Sequence, residues 1–266
     1  MIKIRVDLIN WTEDADSKVA FAAQLCYASD VTKIKHNLDV FNTEKDLEDF
    51  GYLSKADDIT KKEDIHKFVE RLRSMGHMSP FEHVSYSFFV EGISRVTSHQ
   101  LVRHRLASYS QRSQRYIKHQ DFDYIIPPSL EGKTVKIDSE TEQDAVDYYQ
   151  NCMKEISLMY NKLNEALGDC GQLSNEEARY ILPNACETKI VITMNARELM
   201  HFFNLRLCQR ADWEIRGLAE SMLSLVKKKT DCIFDGVGPK CVQLRKCPEG
   251  KLTCGKFAEM MEKYKQ

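Results

Sequence analysis

The sequence predicts an α+β fold, a single domain with a few antiparallel strands and long helices, on three observations. Short stretches such as IKIRVDLIN and KIVITMN alternate apolar and polar residues, the period of a half-buried strand. Longer stretches repeat apolar residues at steps of three and four, the period of an amphipathic helix. A chain of 266 residues, 42% hydrophobic and without internal repeats, is also long enough to bury one substantial core.

The elements follow in order along the chain. Ile2, Ile4, Val6 and Leu8 mark a first strand, and Val19, Ala22, Ala23 and Cys26 mark a helix from Asp14 to Tyr27. The Lys- and Asp-rich stretch from about Val31 to Asp64 reads as solvated loops with room for one short helix. A helix from Lys62 to Ser74 places Ile65, Phe68, Val69 and Leu72 on one side and stops at Gly76. In HMSPFEHVSYSFFVEG, Pro80 disfavours helix, and the aromatic and β-branched residues from Phe81 to Val90 predict a strand leading into Gly92. Helical spacing returns from Ile93 to about Arg105. Ser139 with Glu142 predicts a capping box for a long helix through Val146, Tyr149, Met153, Ile156, Tyr160, Leu163 and Leu167. Ser174 with Glu177 predicts a second box, starting a short helix that Pro183 ends ahead of the strand KIVITMN. Helices are expected from about Ala196 to Leu207 and Ala211 to Lys228, then a Gly-, Pro-, Lys- and Cys-rich tail from Asp231 with a last helix at about Lys256 to Lys263.

Charge is the most informative feature. With 38 Lys plus Arg against 40 Asp plus Glu and a pI near 6.5, the molecule is nearly neutral. Yet no Asp or Glu occurs from Gly92 to Gln120, where Arg95, Arg103, Arg105, Arg112, Arg115 and Lys118 gather. A local basic site in a neutral protein suits one or two small phosphorylated ligands better than a nucleic-acid backbone. No run approaches the roughly 20 apolar residues that span a bilayer, and the first residues lack the apolar core of a signal peptide, so a cytoplasmic protein with no membrane partner is expected. Nine scattered cysteines point to reduced thiols.

Three stretches offer chemistry. Arg103, Ser113 and Arg115 form a candidate phosphate site, because the guanidinium fork and a serine hydroxyl both complement phosphate. Arginines at this density also suit a solvated face or acids distant in sequence; the lack of local acids favours ligands. In HMSPFEH no metal is expected, since Pro80 breaks the i, i+4 helical geometry of paired ligands. His77 and Glu82 read as polar groups lining a pocket, and His83 as a satisfied core or strand histidine. In NARELMHFFNLRLCQR, Asn195, Arg197, His201, Arg206 and Arg210 interleave with apolar residues, which by itself describes an ordinary amphipathic helix. Neither GxxxxGK[ST] nor GxGxxG occurs, so any nucleotide cofactor must be held on another scaffold. The tail cysteines Cys232, Cys241, Cys247 and Cys254 contain no CxxC pair and read as structural rather than zinc ligands. A non-catalytic phosphate- or RNA-binding module and a zinc-stabilised regulatory tail are the alternatives from other classes.

Taken together, the order HMSPFEH, QLVRHR, Ser113 after seven intervening residues, QRY, RYILP, NAR and NLR resembles the flavin-dependent thymidylate synthases, over about residues 15 to 228. The family's RHR-x7-S signature is matched from Arg103, His104 and Arg105 to Ser113. The resemblance implies a twisted, mainly antiparallel sheet, a catalytic domain over 1–230 with a Cys-containing extension over 231–266, and a homotetramer with shared active sites. It implies FAD as cofactor, with NADPH and 5,10-methylenetetrahydrofolate as co-substrates, and methylation of deoxyuridine monophosphate (dUMP) to dTMP. It assigns Gln100, Arg103, Gln111, Arg112, Ser113, Gln114 and Arg115 to dUMP, with Arg179 and Arg206 supplied from elsewhere in the tetramer and Arg206 favouring ionisation at N3 of the uracil. Ser79, Arg103, His104, Arg105, Gln111, Asn195, Arg197 and His201 would contact FAD, with Leu205 and Arg210 near them, and His77 and Glu82 would line the flavin and folate region. Ser110 and Gln111 stand where many members have Asn-Glu, and His201 where some have Asn. The arginine cluster then serves two anions, the nucleotide phosphate and the FAD diphosphate.

Overall fold

The computed structural model describes residues 2–25 and 62–265. Cys26 and most of the stretch read as loops from Val31 lie outside the described residues. The elements are strand β1 (Arg5–Trp11), helices α1 (Ala15–Leu25) and α2 (Lys62–Ser74), β2 (Ser85–Ser94), α3 (Arg95–Leu101), β3 (Ala107–Gln111), β4 (Thr134–Lys136), β5 (Glu142–Asp144), α4 (Ala145–Ala166), α5 (Gln172–Ala178), β6 (Glu187–Asn195), α6 (Ala196–Arg206), α7 (Trp213–Lys227), α8 (Lys240–Gln243) and α9 (Phe257–Lys263). The fold is mixed helix and sheet, as the periodicities require.

Four strands form one sheet in the order β1-β2-β6-β3, and β4 pairs antiparallel with β5. β2 and β6 are antiparallel: Ser87 Oγ lies 2.8 Å from Thr193 Oγ1, and farther along, Gly92 N donates to Glu187 Oε1 at 2.9 Å. Alternation holds in β2, where Tyr86, Phe88 and Val90 are buried, and in β6, where Thr188, Ile190, Ile192 and Met194 are. Rather than ending at Gly92, β2 runs through it. That glycine is required: its φ is +74°, and a Cβ there would stand 2.3 Å from the Lys3 carbonyl oxygen.

The described residues divide into two compact units. One holds residues up to Val6, Phe89–Arg103 and Tyr109–Ile192. Its core gathers Phe122, Met153 and Cys186 with Tyr124, Tyr149, Ile156 and Leu182, so Tyr149, Met153 and Ile156 of the predicted apolar face pack inward, whereas Leu163 and Leu167 at its far end are exposed. Below it lies a buried polar network. Asn164 Nδ2 donates to Asn175 Oδ1 at 2.8 Å, Ser174 Oγ donates to Asn164 Oδ1 at 3.0 Å, and the Tyr160 hydroxyl donates to Asn175 Oδ1 at 3.2 Å.

Both predicted capping boxes are displaced. The cap of α4 is Asp144, whose side chain accepts from Val146 N and Asp147 N, because a carboxylate next to the first turn outcompetes a serine five residues upstream. Ser139 lies in the β4–β5 connection, where Asp138 accepts from Glu140 N and Thr141 N. Helix α5 starts at Gly171, and Ser174 lies inside it, drawn into the Asn164 network.

The other unit holds Asp7–Phe88, His104–Ser108 and the chain from Thr193 on. α7 buries Ile215, Leu218, Ala219, Met222 and Val226, and α6 buries Leu199, Met200, Phe202 and Phe203. Phe234 stacks edge-on against Tyr86 and Phe203, with ring centroids 5.5 and 6.0 Å away. Asp16 on α1 fastens the tail: its carboxylate accepts from the backbone N–H of Asp231, Cys232 and Ile233 at 2.8 to 2.9 Å and from the Cys232 thiol. Cys232 is thereby buried in a structural bond, and burial raises its thiol pKa well above the ordinary range.

Candidate functional site

In the first unit the basic stretch begins where α3 ends. Ser94 caps α3 by accepting from Thr97 N at 3.2 Å, and Arg103 stands exposed in the turn beyond Leu101. The chain then forms β3, which the sequence signals only weakly because the alternation in ASYSQ rests on Ala107 and Tyr109 alone. The arginines separate by role. Arg95 is structural: its Nη2 donates to the Arg112 carbonyl at 2.9 Å, and burial lowers its pKa. Arg112 N in turn donates to Lys189 O at 2.9 Å, and Gln111 Nε2 donates to Thr188 Oγ1 at 3.1 Å, so β6 fixes the start of the loop.

Ser113 shapes that loop. Its Oγ accepts from Arg115 N at 3.1 Å and Tyr116 N at 3.4 Å, which leaves the hydroxyl hydrogen available to a ligand oxygen. Arg115 forms a forked pair with Glu176, with both Nε and Nη2 at 2.7 Å from Oε2. This acid lies far along the chain, so the distant-acid reading is realised for Arg115. Arg179 Nε donates to the Glu176 carbonyl at 3.2 Å, which brings Ser113, Arg115 and Arg179 around α5. Gln100 and Gln114 are half-buried in the same unit.

In the second unit α6 organises the site. Asn195 caps it, its Oδ1 accepting from Glu198 N at 2.8 Å. Arg197 and His201, one turn apart, are both exposed, and Arg197 pairs with Glu82 in the 3₁₀ turn Ser79–His83. Ser79 and His77 are exposed nearby in sequence, and Arg105 is exposed as well. On another side of the helix, Glu198, Phe202 and Arg206 recur every four residues, and His104 packs against them. The His104 ring meets Phe202 edge-on at 5.0 Å and His201 at 5.8 Å. Arg206 Nε donates to His104 Nε2 at 3.1 Å, and Glu198 Oε1 stands 3.5 Å from His104 Nδ1.

Burial governs the charges here. His104 is 4% exposed, and desolvation, reinforced by the Arg206 and His201 charges, lowers its pKa to about 4, so the ring is neutral at pH 7. Burial raises the Glu198 pKa against the opposing pull of His201 and Arg197, and lowers that of Arg206. A guanidinium starts high enough to remain a cation regardless. Arg206 thus rests on a neutral imidazole that adds no negative charge of its own.

Sequence reasoning missed the burial of His104, the part of Glu198, and a cavity of about 270 Å³ at the end of α6. Arg206, Cys208, Cys241, Cys247 and Cys254 line that cavity, so Cys208 joins three tail cysteines while Cys232 stands apart with Asp16. Among the described residues no group of three or more His, Cys, Asp or Glu is placed to hold a metal ion. Arg210 at the cavity wall pairs with Glu249. No helix of the described residues is long and apolar enough to cross a membrane.

Comparison with known proteins bears on this arrangement. A family model described as thymidylate synthase complementing protein matches residues 7–230. A flavin-dependent thymidylate synthase of Clostridium tetani is 43% identical over 263 residues, covering 98% of this chain and 97% of that protein. Proteins of the same description from Geobacter sulfurreducens and Pyrococcus furiosus are 42% and 36% identical, covering 99% and 94% of this chain and 99% and 91% of their own lengths.

Proposed function

The chain belongs to the thymidylate synthase complementing protein family, the flavin-dependent thymidylate synthases, and from that premise we propose that it methylates dUMP to dTMP. In this reading methylenetetrahydrofolate donates the carbon, and FAD is the cofactor. Bound FAD, reduced by NADPH, supplies the hydride that completes the methyl group.

The chain's own part is positioning and electrostatics. Ser113, Arg115 and Arg179 take the nucleotide phosphate, with Gln100, Arg103, Gln111, Arg112 and Gln114 completing the nucleotide set. Arg115 divides its fork between Glu176 and the incoming phosphate. FAD fits what the second unit offers: its diphosphate needs cations and donors rather than a glycine fingerprint, and Arg105, Arg197 and His201 are exposed to supply them. Ser79 and Asn195 add polar groups, the family resemblance also assigns Arg103 and Gln111 to FAD, and His77 and Glu82 line the flavin and folate region. Arg206 stabilises negative charge developing on the uracil ring, so C5 becomes nucleophilic without a cysteine adduct. The observation that carries this reading is the Arg206 to His104 bond, which holds a half-buried guanidinium against a buried, neutral imidazole.

A homotetramer with shared sites completes the proposal. It is supported in the first unit by Leu158, Met159, Leu163 and Leu167 on and just after α4 and by Leu173 and Tyr180, which are 43% to 84% exposed and suit burial against another copy. The test is a product assay with dUMP, methylenetetrahydrofolate, NADPH and FAD, omitting each in turn. dTMP is expected only with all four, and its formation without flavin would refute the proposal.

A further inference from the structure

Glu198 is an expensive residue to keep where it stands. Its side chain is 7% exposed, burial raises its pKa, and the group that its carboxylate faces, His104, is neutral. Apolar packing alone would be served better by leucine. The contact therefore calls for another explanation, and the protonation of His104 supplies it.

Arginine has no acceptor to offer, so in the Arg206 to His104 bond the guanidinium Nε–H must be the donor and imidazole Nε2 the acceptor. A neutral ring carries one proton, which must then sit on Nδ1. Nδ1 faces the Glu198 carboxylate at 3.5 Å, at the outer edge of hydrogen-bonding distance. A ring with the other tautomer would present N–H to N–H at Arg206 and a lone pair to a carboxylate, unfavourable at both ends. The carboxylate also polarises the ring, making Nε2 a stronger acceptor, as carboxylates do behind metal-bound histidines.

The backbone fixes this arrangement. Glu198 is in the first turn of α6 with its N–H held by Asn195 at 2.8 Å, and Arg206 lies two turns along the same helix. His104 bridges the two, braced edge-on against Phe202. From this geometry we infer that Glu198 is a positioning residue, which selects the Nδ1–H tautomer of His104 and through it aims the Arg206 guanidinium. The inference rests on the reading of Arg206 given above for its effect on turnover, but the tautomer stands apart from that reading.

The test uses the full-length flavin-loaded enzyme, wild type and Glu198→Gln, with two readouts. Glutamine keeps the shape and an acceptor oxygen but removes the charge, and its amide can turn to donate to Nδ1. In protein labelled with ¹⁵N-histidine, His104 is expected as the Nδ1–H tautomer in wild type and shifted towards Nε2–H in the variant. Turnover is expected to fall roughly 10- to 100-fold with KM for dUMP little changed, and Glu198→Asp to restore part of it. In a His104→Phe background the same substitution should change turnover no further. An Nε2–H tautomer in wild type, full turnover in Glu198→Gln, or an undiminished loss in the His104→Phe background would each overturn the inference. If Arg206→Ala turns over normally while the tautomer is as described, the reading of Arg206 fails and the tautomer assignment survives.

Discussion

The two units hold their charged groups in opposite ways. In the first, the candidate nucleotide residues lie on a loop whose shape comes from backbone and hydroxyl bonds, and the forked Arg115–Glu176 pair is part-exposed at 42% and 28%. Such a pair exchanges partners at little cost, since exposed ion pairs contribute roughly 0 to 1 kcal/mol. In the second, His104 and Glu198 are nearly sealed and set the direction of Arg206. Exposed charge suits capture and release of a phosphate, whereas buried charge suits an electrostatic element that must not move during reaction.

The sharpest way to break this comparison is Arg206→Ala. Turnover should fall roughly 10²- to 10³-fold or more, with flavin content and dUMP affinity nearly unchanged, as read by product formation and the flavin spectrum. Equal losses in binding and turnover would make Arg206 an ordinary contact.

pH addresses the same element through stability. His104 has a folded pKa of about 4 against an ordinary 6.5, so the unfolded chain binds the proton more readily between those values. Its contribution is fully present above about pH 6.5 and is lost as pH falls through about 4, roughly 3 kcal/mol in all. The buried His119, also lowered by desolvation, acts in the same direction. Denaturant unfolding across this range should show the decline, and His104→Phe should flatten it.

Smaller effects are expected in the first unit. Asn175→Ala removes the acceptor of Asn164 Nδ2 and the Tyr160 hydroxyl and should cost about 1 to 3 kcal/mol in urea unfolding. Ser113→Ala removes a bond to Arg115 N and should cost only about 0.5 to 1.5 kcal/mol, while weakening dUMP binding in a titration. A large stability loss with intact dUMP binding would reduce Ser113 to a loop brace.

How much of this was legible follows from the range of each interaction. Strands β2 and β6 and helices α2, α6 and α7 come from local periodicity, and the sequence contains it. The start of α4 was misplaced because Ser139 and Glu142 have the spacing of a capping box, but the β4–β5 hairpin, three residues per strand, claims them first. The arginine cluster was legible as a charge anomaly. Its internal division was not, because Arg95 is spent on the Arg112 carbonyl 17 residues on and Arg115 finds Glu176 61 residues away. His104 and Glu198 each sit in a recognisable motif, but nothing local to either encodes their meeting. The cysteines fail for the same reason: spacing grouped Cys232 with the tail, whereas Asp16, at the far end of the chain, claims it.

The most direct measurement is an anaerobic ultraviolet-visible spectrum of the purified protein during reduction by NADPH, with and without dUMP. Bound flavin whose reduction responds to the nucleotide is the predicted result. A colourless protein that takes up no flavin when FAD is added would contradict the account at its centre.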